Sequence, residues 1–255
     1  MVLIEATNLP RHVGIIMDGN GRWAQHRDQA RPEGHRAGSR AVRRIVRLSR
    51  RIGLEALTLY AFSFQNWSRP DYEVGALMAL LEDYLHKERA ELLERKIRLE
   101  AVGELSRLPQ PVRCLLDQVR RDTSQPDVEM TLNLALSYGG QEEIASAARL
   151  LAERAARGEL DPTSIDAEML AANIPSLRYG APDLIIRTGG EMRLSNFLLY
   201  GSAYAELFFS DRLWPDFTEE DLFTAIASYQ HRERRYGKVP APTATNSEQA
   251  TDTGT

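Results

Sequence analysis

Hydrophobic residues along the chain fall into two patterns that alternate from its start to near its end. Short, largely apolar runs predict six strands, at 12–17, 55–63, 97–103, 128–137, 183–187 and 206–210. Stretches with apolar residues three or four positions apart predict seven helices, at 20–29, 34–51, 70–94, 111–122, 141–157, 166–173 and 219–231. Because strand and helix alternate, we expect an α/β fold with a central, mainly parallel six-stranded sheet flanked by helices.

The alternation predicts one domain over residues 11–237, because no linker interrupts it. We expect flexible termini at 1–10 and 238–255, the second because it has almost no bulky apolar side chains. The one cysteine, Cys114, excludes a disulfide within the chain. Its apolar neighbours Val112, Leu115 and Leu116 predict that Cys114 is a small buried residue.

Composition changes this picture little, because 43% hydrophobic and 27% charged residues are ordinary for a soluble globular protein. A net charge of −4 gives no basic field that would favour a nucleic acid partner. The first residues lack the pattern of a signal peptide, and no apolar run approaches the length of about 18 residues typical of a spanning helix. We expect a cytoplasmic protein, with peripheral contact at the inner face of the membrane left open.

The segment IIMDGNGRW at 15–23 brings a carboxylate and a glycine turn to the end of the first strand. After Asp18 the chain continues with Gly19, Asn20, Gly21 and Arg22. Glycines let a ligand approach the backbone, the start of a helix receives anions, and arginine suits phosphate. Mg²⁺ between Asp18 and a phosphate would remove their repulsion, because Mg²⁺ is commonly held by carboxylates together with substrate phosphates. The alternative is a tight turn in which Asn20 caps the helix.

Two further segments offer donors for anions at or just after strand ends. AFSFQNWSRP at 61–70 supplies Ser63, Asn66, Trp67 and Arg69, and DLIIRTGGEMRLSNF at 183–197 supplies Arg187, Arg193 and Ser195. Ligands of parallel sheets bind beyond the carboxyl ends of strands, which groups Asp18, Ser63 and Arg187. The alternatives are a loop that caps the helix after the first segment, and a surface ion pair with Glu191 in the second.

The segment AYAELFFSDRLWPDF at 203–217 contains Glu206 at a strand start, where it is a candidate second metal carboxylate. The alternative is an ordinary surface charge, and Asp216 is a weaker candidate for the same role. His35, near Arg31, is a candidate donor to a phosphate. The alternative for most arginines between 36 and 51 is a solvated helix face.

Four of these blocks, HVGIIMDGNGRWA, LYAFSFQNWSRP, DLIIRTGGEMRLSNFLL and YAELFFSDRLWPDF, resemble in order and spacing the signature blocks of the cis-prenyltransferases. The resemblance covers about residues 11–237. It implies a homodimeric, Mg²⁺-dependent enzyme that condenses isopentenyl diphosphate with an allylic diphosphate, often farnesyl diphosphate. The implied product is a Z-polyprenyl diphosphate such as undecaprenyl diphosphate, the precursor of a cell-wall lipid carrier. An apolar tunnel walled by helix 70–94 and strands two to four would hold the growing chain.

The resemblance also implies residue roles. Asp18 and Asn66 would be catalytic, and Asp18 and Glu206 would bind Mg²⁺. Substrate binding is implied for Gly19, Asn20, Gly21, Arg22, Trp23, Arg31, His35, Ser63, Phe64, Gln65, Trp67, Arg69, Arg187, Arg193, Leu194 and Ser195. The chain departs from the family pattern at Gln65, where a glutamate is common, and at Tyr200-Gly201-Ser202. A shorter-chain synthase and a non-catalytic partner subunit remain as alternatives.

Overall fold

The computed structural model describes residues 4–232, and within that range six strands form one sheet in which every pairing is parallel. The spatial order is β3-β4-β2-β1-β5-β6. The strands are β1 His12–Ile16, β2 Ala56–Ser63, β3 Ile97–Val102, β4 Met130–Tyr138, β5 Leu184–Arg187 and β6 Glu206–Phe209. The helices are α1 Asn20–Gln25, α2 Arg31–Ile52, α3 Asp71–Glu94, α4 Gln110–Thr123, α5 Gly140–Ala156, α6 Ala167–Ala172 and α7 Glu219–Gln230. The predicted α/β fold with a six-stranded sheet is confirmed.

Both faces of the sheet are covered, which explains why its central strands are apolar nearly throughout. Every residue of β1, β4 and β5 is buried. The larger hydrophobic core joins the sheet to α2, α3, α4 and α7, and a smaller one forms around Phe197 and Leu198. Phe197 and Leu198 pack so closely on the sheet that a Cβ on Gly14 of β1 would lie 3.1 Å from each of their side chains. The six strands are therefore enclosed by helices and by the chain after β5.

The predicted elements appear in order, and the bounds of some helices differ from the prediction. Helix α2 begins at Arg31 rather than at 34, because Pro32 is compatible with the first turn. Helix α1 ends at Gln25 rather than at 29. The prediction that Cys114 is buried is wrong. On α4 the buried positions include Val112 and Leu116, and Cys114 falls between them on the outer face.

The amino-terminal lead-in is attached to the last helix by hydrogen bonds. The amide group of Gln230 accepts from the backbone N–H of Glu5 and donates to the carbonyls of Glu5 and Asn8, at 2.7–3.0 Å. The expectation of a flexible start at 1–10 stays a prediction. The predicted flexible end at 238–255 lies outside the described residues. Between residues 4 and 232, no helix is both long enough and apolar enough to cross a membrane.

Candidate active site

The carboxyl ends of β1 and β5 bring Asp18 and Arg187 together. Arg187, the last residue of β5, is only 4% exposed, and its Nη2 donates to Asp18 Oδ2 at 2.9 Å. Its Nη1 donates to Ser195 Oγ at 2.7 Å and to the carbonyl oxygen of Arg193. The side chain is thus fixed between a strand end and a loop. This is the juxtaposition that the two separate sequence segments predicted.

The turn after Asp18 has the left-handed backbone that its glycine permits. Gly19 has φ of 103°, and its N–H donates to Asp18 Oδ1 at 2.7 Å. The carbonyl of Asp18 accepts from Trp214 N–H at 2.9 Å and from Thr188 Oγ1 at 2.8 Å. Asp18 is therefore held by its backbone as well as by its carboxylate. That carboxylate stays one-third exposed and can reach a ligand.

Arg22 also faces Asp18, with Nη2 3.6 Å from Oδ1. A Cβ on Gly189 would lie 2.6 Å from that guanidinium, so the glycine turn after β5 gives Arg22 its place. Asn20 does not cap α1, because Gly19 occupies the N-cap position. Instead Asn20 Nδ2 donates to the Met17 carbonyl at 3.1 Å, while Oδ1 is buried without a hydrogen-bond partner.

A second cationic group forms where α2 and α3 begin. Arg69 donates to the carboxylate of Glu73 at 2.8 Å, and Arg31 lies 3.7 Å from the other oxygen of Glu73. The Glu73 side chain is only 3% exposed. Burial lowers the pKa of the neighbouring His35 to about 4, and the positive charge of Arg69 adds to this effect. At neutral pH His35 is therefore uncharged, with one ring nitrogen able to donate and the other to accept.

The α1 turn lies between the two groups. A Cβ on Gly21 would lie 3.0 Å from Arg31 Nε, while Arg22 on the same turn faces Asp18. Gly21 therefore lets the Arg31 guanidinium approach the α1 turn, as Gly189 does for Arg22. The structure brings both arginine-bearing groups to the same edge of the molecule.

The segment after β2 forms a 3-10 turn, Phe64–Ser68, that fixes the predicted Ser63 and Asn66 relative to each other. The Ser63 N–H donates to Asn66 Oδ1 at 3.0 Å in a reciprocal capping arrangement. Trp67 Nε1 donates to Ser137 Oγ at 2.9 Å. Gln65 is exposed. Asn66 and Arg69 line the cavity described below, whereas Gln65 does not.

Other predicted substrate residues have identifiable contacts. Trp23 Nε1 donates to Asp216 at 2.7 Å, so Asp216 positions an aromatic ring. The guanidinium of Arg107 lies 4.7 Å from the ring centre of Phe64. Leu194 packs against the smaller core. Arg193 forms an exposed ion pair with Glu191 at 2.6 Å, as the alternative interpretation of that segment described, and contributes its carbonyl to Arg187.

An apolar cavity of about 180 Å³ opens beside these groups. At its mouth lie Asn20, His35, Asn66 and Arg69, and its walls come from α2, α3, β2 and β4. Tyr84 is among the α3 residues that line it. The expected contribution of β3 is not found, because β3 is the edge strand beyond β4 and none of its residues lines the cavity. Helix α2 forms that wall instead.

Glu206 is not brought to Asp18 within this chain. The register pairs Leu184 with Glu206 and Arg187 with Phe209, so Glu206 lies three residues, about 10 Å, back along the strand direction. Its carboxylate pairs with Arg232 at 2.5 Å. The predicted metal role of Glu206 stays a prediction.

The residues around Asp18 are compatible with one mode of Mg²⁺ binding. Within residues 4–232, no group of three or more His, Cys, Asp or Glu side chains could hold a metal alone. Asp18 offers one partly exposed carboxylate, with cations nearby that attract phosphate. Mg²⁺ held by one carboxylate and by substrate phosphates fits this set, since Mg²⁺ rarely takes a cage made of protein alone.

Two residues that the sequence did not single out complete the site. Glu73 pairs with both arginines of the second group, and its spacing of four from Arg69 at a helix start was the available signal. Tyr60 lines the cavity, and its hydroxyl lies 3.3 Å from the carbonyl of Ser195 and 3.2 Å from that of Tyr138. No local pattern signals this contact, because 135 positions separate Tyr60 from Ser195.

Comparison with known proteins identifies the family. Residues 16–237 match the prenyltransferase family described as "Putative undecaprenyl diphosphate synthase". The chain is 46% identical over 238 residues to an isoprenyl transferase of Chlorobaculum tepidum, covering 93% of this chain and 89% of that protein. It is 47% identical over 236 residues to a ditrans,polycis-undecaprenyl-diphosphate synthase ((2E,6E)-farnesyl-diphosphate specific) of Xanthomonas axonopodis pv. citri, covering 92% and 91%.

Solved structures agree. Lavandulyl diphosphate synthase from Lavandula x intermedia, in complex with dimethylallyl diphosphate, superposes with a TM-score of 0.88 at 36% identity. The match covers 91% of this chain and all of that chain. The protein therefore belongs to the undecaprenyl diphosphate synthase family of prenyltransferases, and it is a prenyltransferase of isoprenoid biosynthesis.

Proposed function

We propose that the protein is a Mg²⁺-dependent cis-prenyltransferase that condenses isopentenyl diphosphate with an allylic diphosphate. The observation that carries this proposal is the pair of arginine-bearing groups beside the mouth of one apolar cavity. Two diphosphate substrates need two anion sites, and an isoprenoid chain needs an apolar space. A protein that bound one phosphorylated ligand would use only one of these groups.

The reaction assigns a task to each group. The allylic C–O bond breaks and its electron pair leaves with the diphosphate. The double bond of isopentenyl diphosphate forms the new C–C bond, and a proton is then lost. Arg31, Arg69 and neutral His35 would hold the allylic diphosphate and stabilise its growing charge. Arg187 with Ser195 would hold isopentenyl diphosphate.

Asp18, which pairs with Arg187 and faces Arg22, would hold Mg²⁺ together with diphosphate oxygens. The ion would supply charge stabilisation to the leaving diphosphate. Asn66, fixed at the cavity mouth through the Ser63 N–H, would position the reacting carbons or assist proton removal.

We propose farnesyl diphosphate as the primer and undecaprenyl diphosphate as the product, which would place the protein in the synthesis of the cell-wall lipid carrier. The name of the Xanthomonas relative, which is about as long as this chain, supports this choice. A shorter product is the alternative, since a relative with this fold is a lavandulyl diphosphate synthase. We also propose a homodimer that works in the cytoplasm and contacts the membrane peripherally. The non-catalytic alternative is disfavoured, because Asp18 and Arg187 are present and paired, and Arg69 lines the cavity.

The test is direct incorporation of substrate. Purified protein is incubated with farnesyl diphosphate, labelled isopentenyl diphosphate and Mg²⁺, and the products are separated by chain length. We expect a Mg²⁺-dependent series that ends near eleven isoprene units. A series that stops after a few units would select the shorter-chain function. Absence of incorporation with every allylic primer would refute catalysis.

A further inference from the structure

The loop that supplies two of the partners of Arg187 has an unusual backbone, and we call it the 193–198 loop. Ser195, Asn196 and Leu198 have φ of 48°, 66° and 45°, which lies in the left-handed region. Asparagine adopts this region more readily than most residues, whereas a bulky residue such as leucine does so at a cost in free energy. Such a loop keeps its shape only where contacts with the surrounding structure hold it.

Asn196 attaches this loop to the first turn of α5. Its carbonyl accepts from the N–H of Gly140 at 2.7 Å, and its side-chain Oδ1 accepts from the N–H of Gln141 at 2.8 Å. Its Nδ2 donates to Oε2 of Glu142 at 2.8 Å. The N-cap residue of α5 is Gly139, which has no side chain that could cap the helix. One asparagine of a distant loop therefore satisfies two of the N–H groups that a helix start leaves without partners.

Gly139 leaves room for this arrangement. Its φ of −155° lies in the β region, so its backbone conformation does not require glycine. A Cβ at this position would lie 2.6 Å from Asn196 Nδ2 and would also clash with the carboxylate of Glu142. The close approach of the asparagine and the glutamate therefore explains the glycine.

The first turn of α5 is itself fixed to the sheet. The carboxylate of Glu143 accepts from the hydroxyl of Tyr138, the last residue of β4, and from Ser176 Oγ at 2.8 Å. Glu143 and Tyr138 are both buried. The helix start is therefore a firm base for the loop that Asn196 attaches to it.

The contacts continue from the loop to Arg187. Asn196 directly follows Ser195, whose Oγ accepts from Arg187 Nη1 at 2.7 Å, and the Arg193 carbonyl accepts from the same nitrogen. The Nε of Arg187 is buried without a hydrogen-bond partner. The orientation of the guanidinium therefore depends on the two loop contacts and on Asp18.

We propose that Asn196 is a positioning residue of the anion site formed by Arg187 and Ser195. It holds the 193–198 loop on the start of α5, and the loop sets the positions of the guanidinium and the hydroxyl. Asn196 acts through these two groups, since both ends of its carboxamide are bonded to α5. That the ligand of this site is isopentenyl diphosphate rests on the proposed function.

The substitution Asn196→Asp tests the bond between the loop and α5. Aspartate has nearly the same shape, tolerates the left-handed region and still accepts from Gln141 N–H. Its second oxygen, however, faces the carboxylate of Glu142, where the asparagine donates. We expect KM for isopentenyl diphosphate to rise about tenfold, which corresponds to the loss of one hydrogen bond to a charged group. KM for the allylic diphosphate and kcat should change little.

The double variant Asn196→Asp/Glu142→Gln restores the bond with donor and acceptor exchanged. Its KM for isopentenyl diphosphate should return close to that of the unmodified protein. Glu142→Gln alone should have little effect, because its amide oxygen still accepts from Asn196. A merely structural role of Asn196 would lower Tm without a selective change in one KM that the second substitution reverses.

The matched control is Gln125→Glu, which changes the net charge equally. It removes a hydrogen bond of 2.7 Å from the Gln125 amide to the carbonyl of Asp122, before β4 begins and thus at the opposite edge of the sheet. Both KM values should stay unchanged in this variant. If Asn196→Asp does not fold, as judged by circular dichroism, Glu142→Ala tests the same bond with Asn196 in place and should raise KM for isopentenyl diphosphate several-fold.

Three outcomes would overturn the proposal. The first is an unchanged KM for isopentenyl diphosphate in folded Asn196→Asp, or in Glu142→Ala where the aspartate variant does not fold. The second is a rise in KM that Glu142→Gln does not reverse. The third is an equal rise in the Gln125→Glu control.

Binding of inorganic pyrophosphate, measured by calorimetry, separates this proposal from the proposed function. If the unmodified protein incorporated no substrate, yet Asn196→Asp weakened pyrophosphate binding and the double variant restored it, the proposed function would fail and the positioning role would stand. If the protein neither incorporated substrate nor showed this pattern of binding, both would fail. Normal turnover with an unchanged KM in Asn196→Asp would leave the function standing and refute the positioning role.

Discussion

The substitution Asp18→Asn separates the electrostatic role of Asp18 from its place in the fold. Each carboxylate oxygen accepts a hydrogen bond, Oδ1 from Gly19 N–H at 2.7 Å and Oδ2 from Arg187 Nη2 at 2.9 Å. Asparagine has nearly the same shape, but its side chain has a single acceptor oxygen. One of the two donors therefore loses its partner, and the negative charge disappears. The backbone contacts of residue 18 are unaffected by the change.

The expected loss of stability is small and the expected loss of activity is large. A hydrogen bond to a charged group contributes about 1.5–3 kcal/mol. Because a third of the Asp18 side chain is exposed, we discount this to about 1–2 kcal/mol. In a chain of this size that lowers Tm by about 2–8 °C. Under the proposed function, losing the Asp18 carboxylate that would hold Mg²⁺ against diphosphate removes several kcal/mol of charge stabilisation, which is about a thousandfold or more in kcat.

Turnover at saturating substrates and thermal unfolding followed by circular dichroism measure the two effects. The matched control is Asp183→Asn, because Asp183 also accepts two N–H donors, from Arg11 at 2.8 Å and His12 at 3.1 Å, but at the amino edge of the sheet. Its Tm should fall no more than that of Asp18→Asn, with kcat nearly unchanged. A folded Asp18→Asn variant with kcat within tenfold of the original would refute the reasoning, as would an equal loss of kcat in the control.

Three other substitutions test the remaining parts of the site. Glu73→Gln should raise KM for the allylic diphosphate several-fold, because the arginines lose the charge that fixes them. The control Glu88→Gln disrupts a similar buried ion pair farther along α3 and should leave KM unchanged. Both variants should lose about 1 kcal/mol of unfolding free energy, and equal KM values in the two would contradict the role of Glu73. The pKa of His35 is lowered to about 4, so above that value the folded state binds fewer protons than the unfolded state and stability falls as pH drops from about 6.5 towards 4. Urea unfolding should therefore show that the free energy of unfolding falls by about 2 kcal/mol between pH 7 and pH 5, and that this fall is absent in His35→Gln. Parallel pH profiles of the two proteins would show that His35 is not the titrating group. Tyr60→Phe should keep the ring stacked on Phe197, with ring centres 4.7 Å apart. It should raise KM for isopentenyl diphosphate several-fold, because the carbonyl of Ser195 loses a hydrogen bond. An unchanged KM would show that the hydroxyl does not position the loop.

The fold was predictable because its signals are local and repeated. Each strand of the sheet is a short apolar run, and each crossover is a helix with apolar positions at regular spacing. The meeting of Asp18 and Arg187, which are 169 positions apart, followed from one rule about parallel sheets, namely that their carboxyl ends share an edge. The same rule explains why Glu206 is not near them, since it begins its strand instead of ending it.

The features that were not predicted depend on contacts that cannot be read from the order of residues along the chain. Glu73 looks like an ordinary first-turn carboxylate until the structure shows it buried between arginines of two segments. The Tyr60 hydroxyl meets a loop far along the sequence. Cys114 has apolar neighbours, but the helical phase turns it outward. Each error has the same origin, which is that sequence neighbours and spatial neighbours differ.

The spatial order of the strands also explains the role of the arginine-rich helix α2. Strand β3 pairs with β4 at the sheet edge, so the cavity above β2 and β4 must be closed by α2 and α3 instead. Ion pairs join these helices only at some levels. Arg43 with Glu88, and Arg47 with Glu91 at 2.5 Å, tie the half beyond Tyr84. At the mouth, Arg31 of α2 lies 3.7 Å from the carboxylate of Glu73 of α3. Ion pairs therefore join the two helices at both ends of the cavity, and the residues between these levels, Ser39 and Leu77 among them, are left to line it.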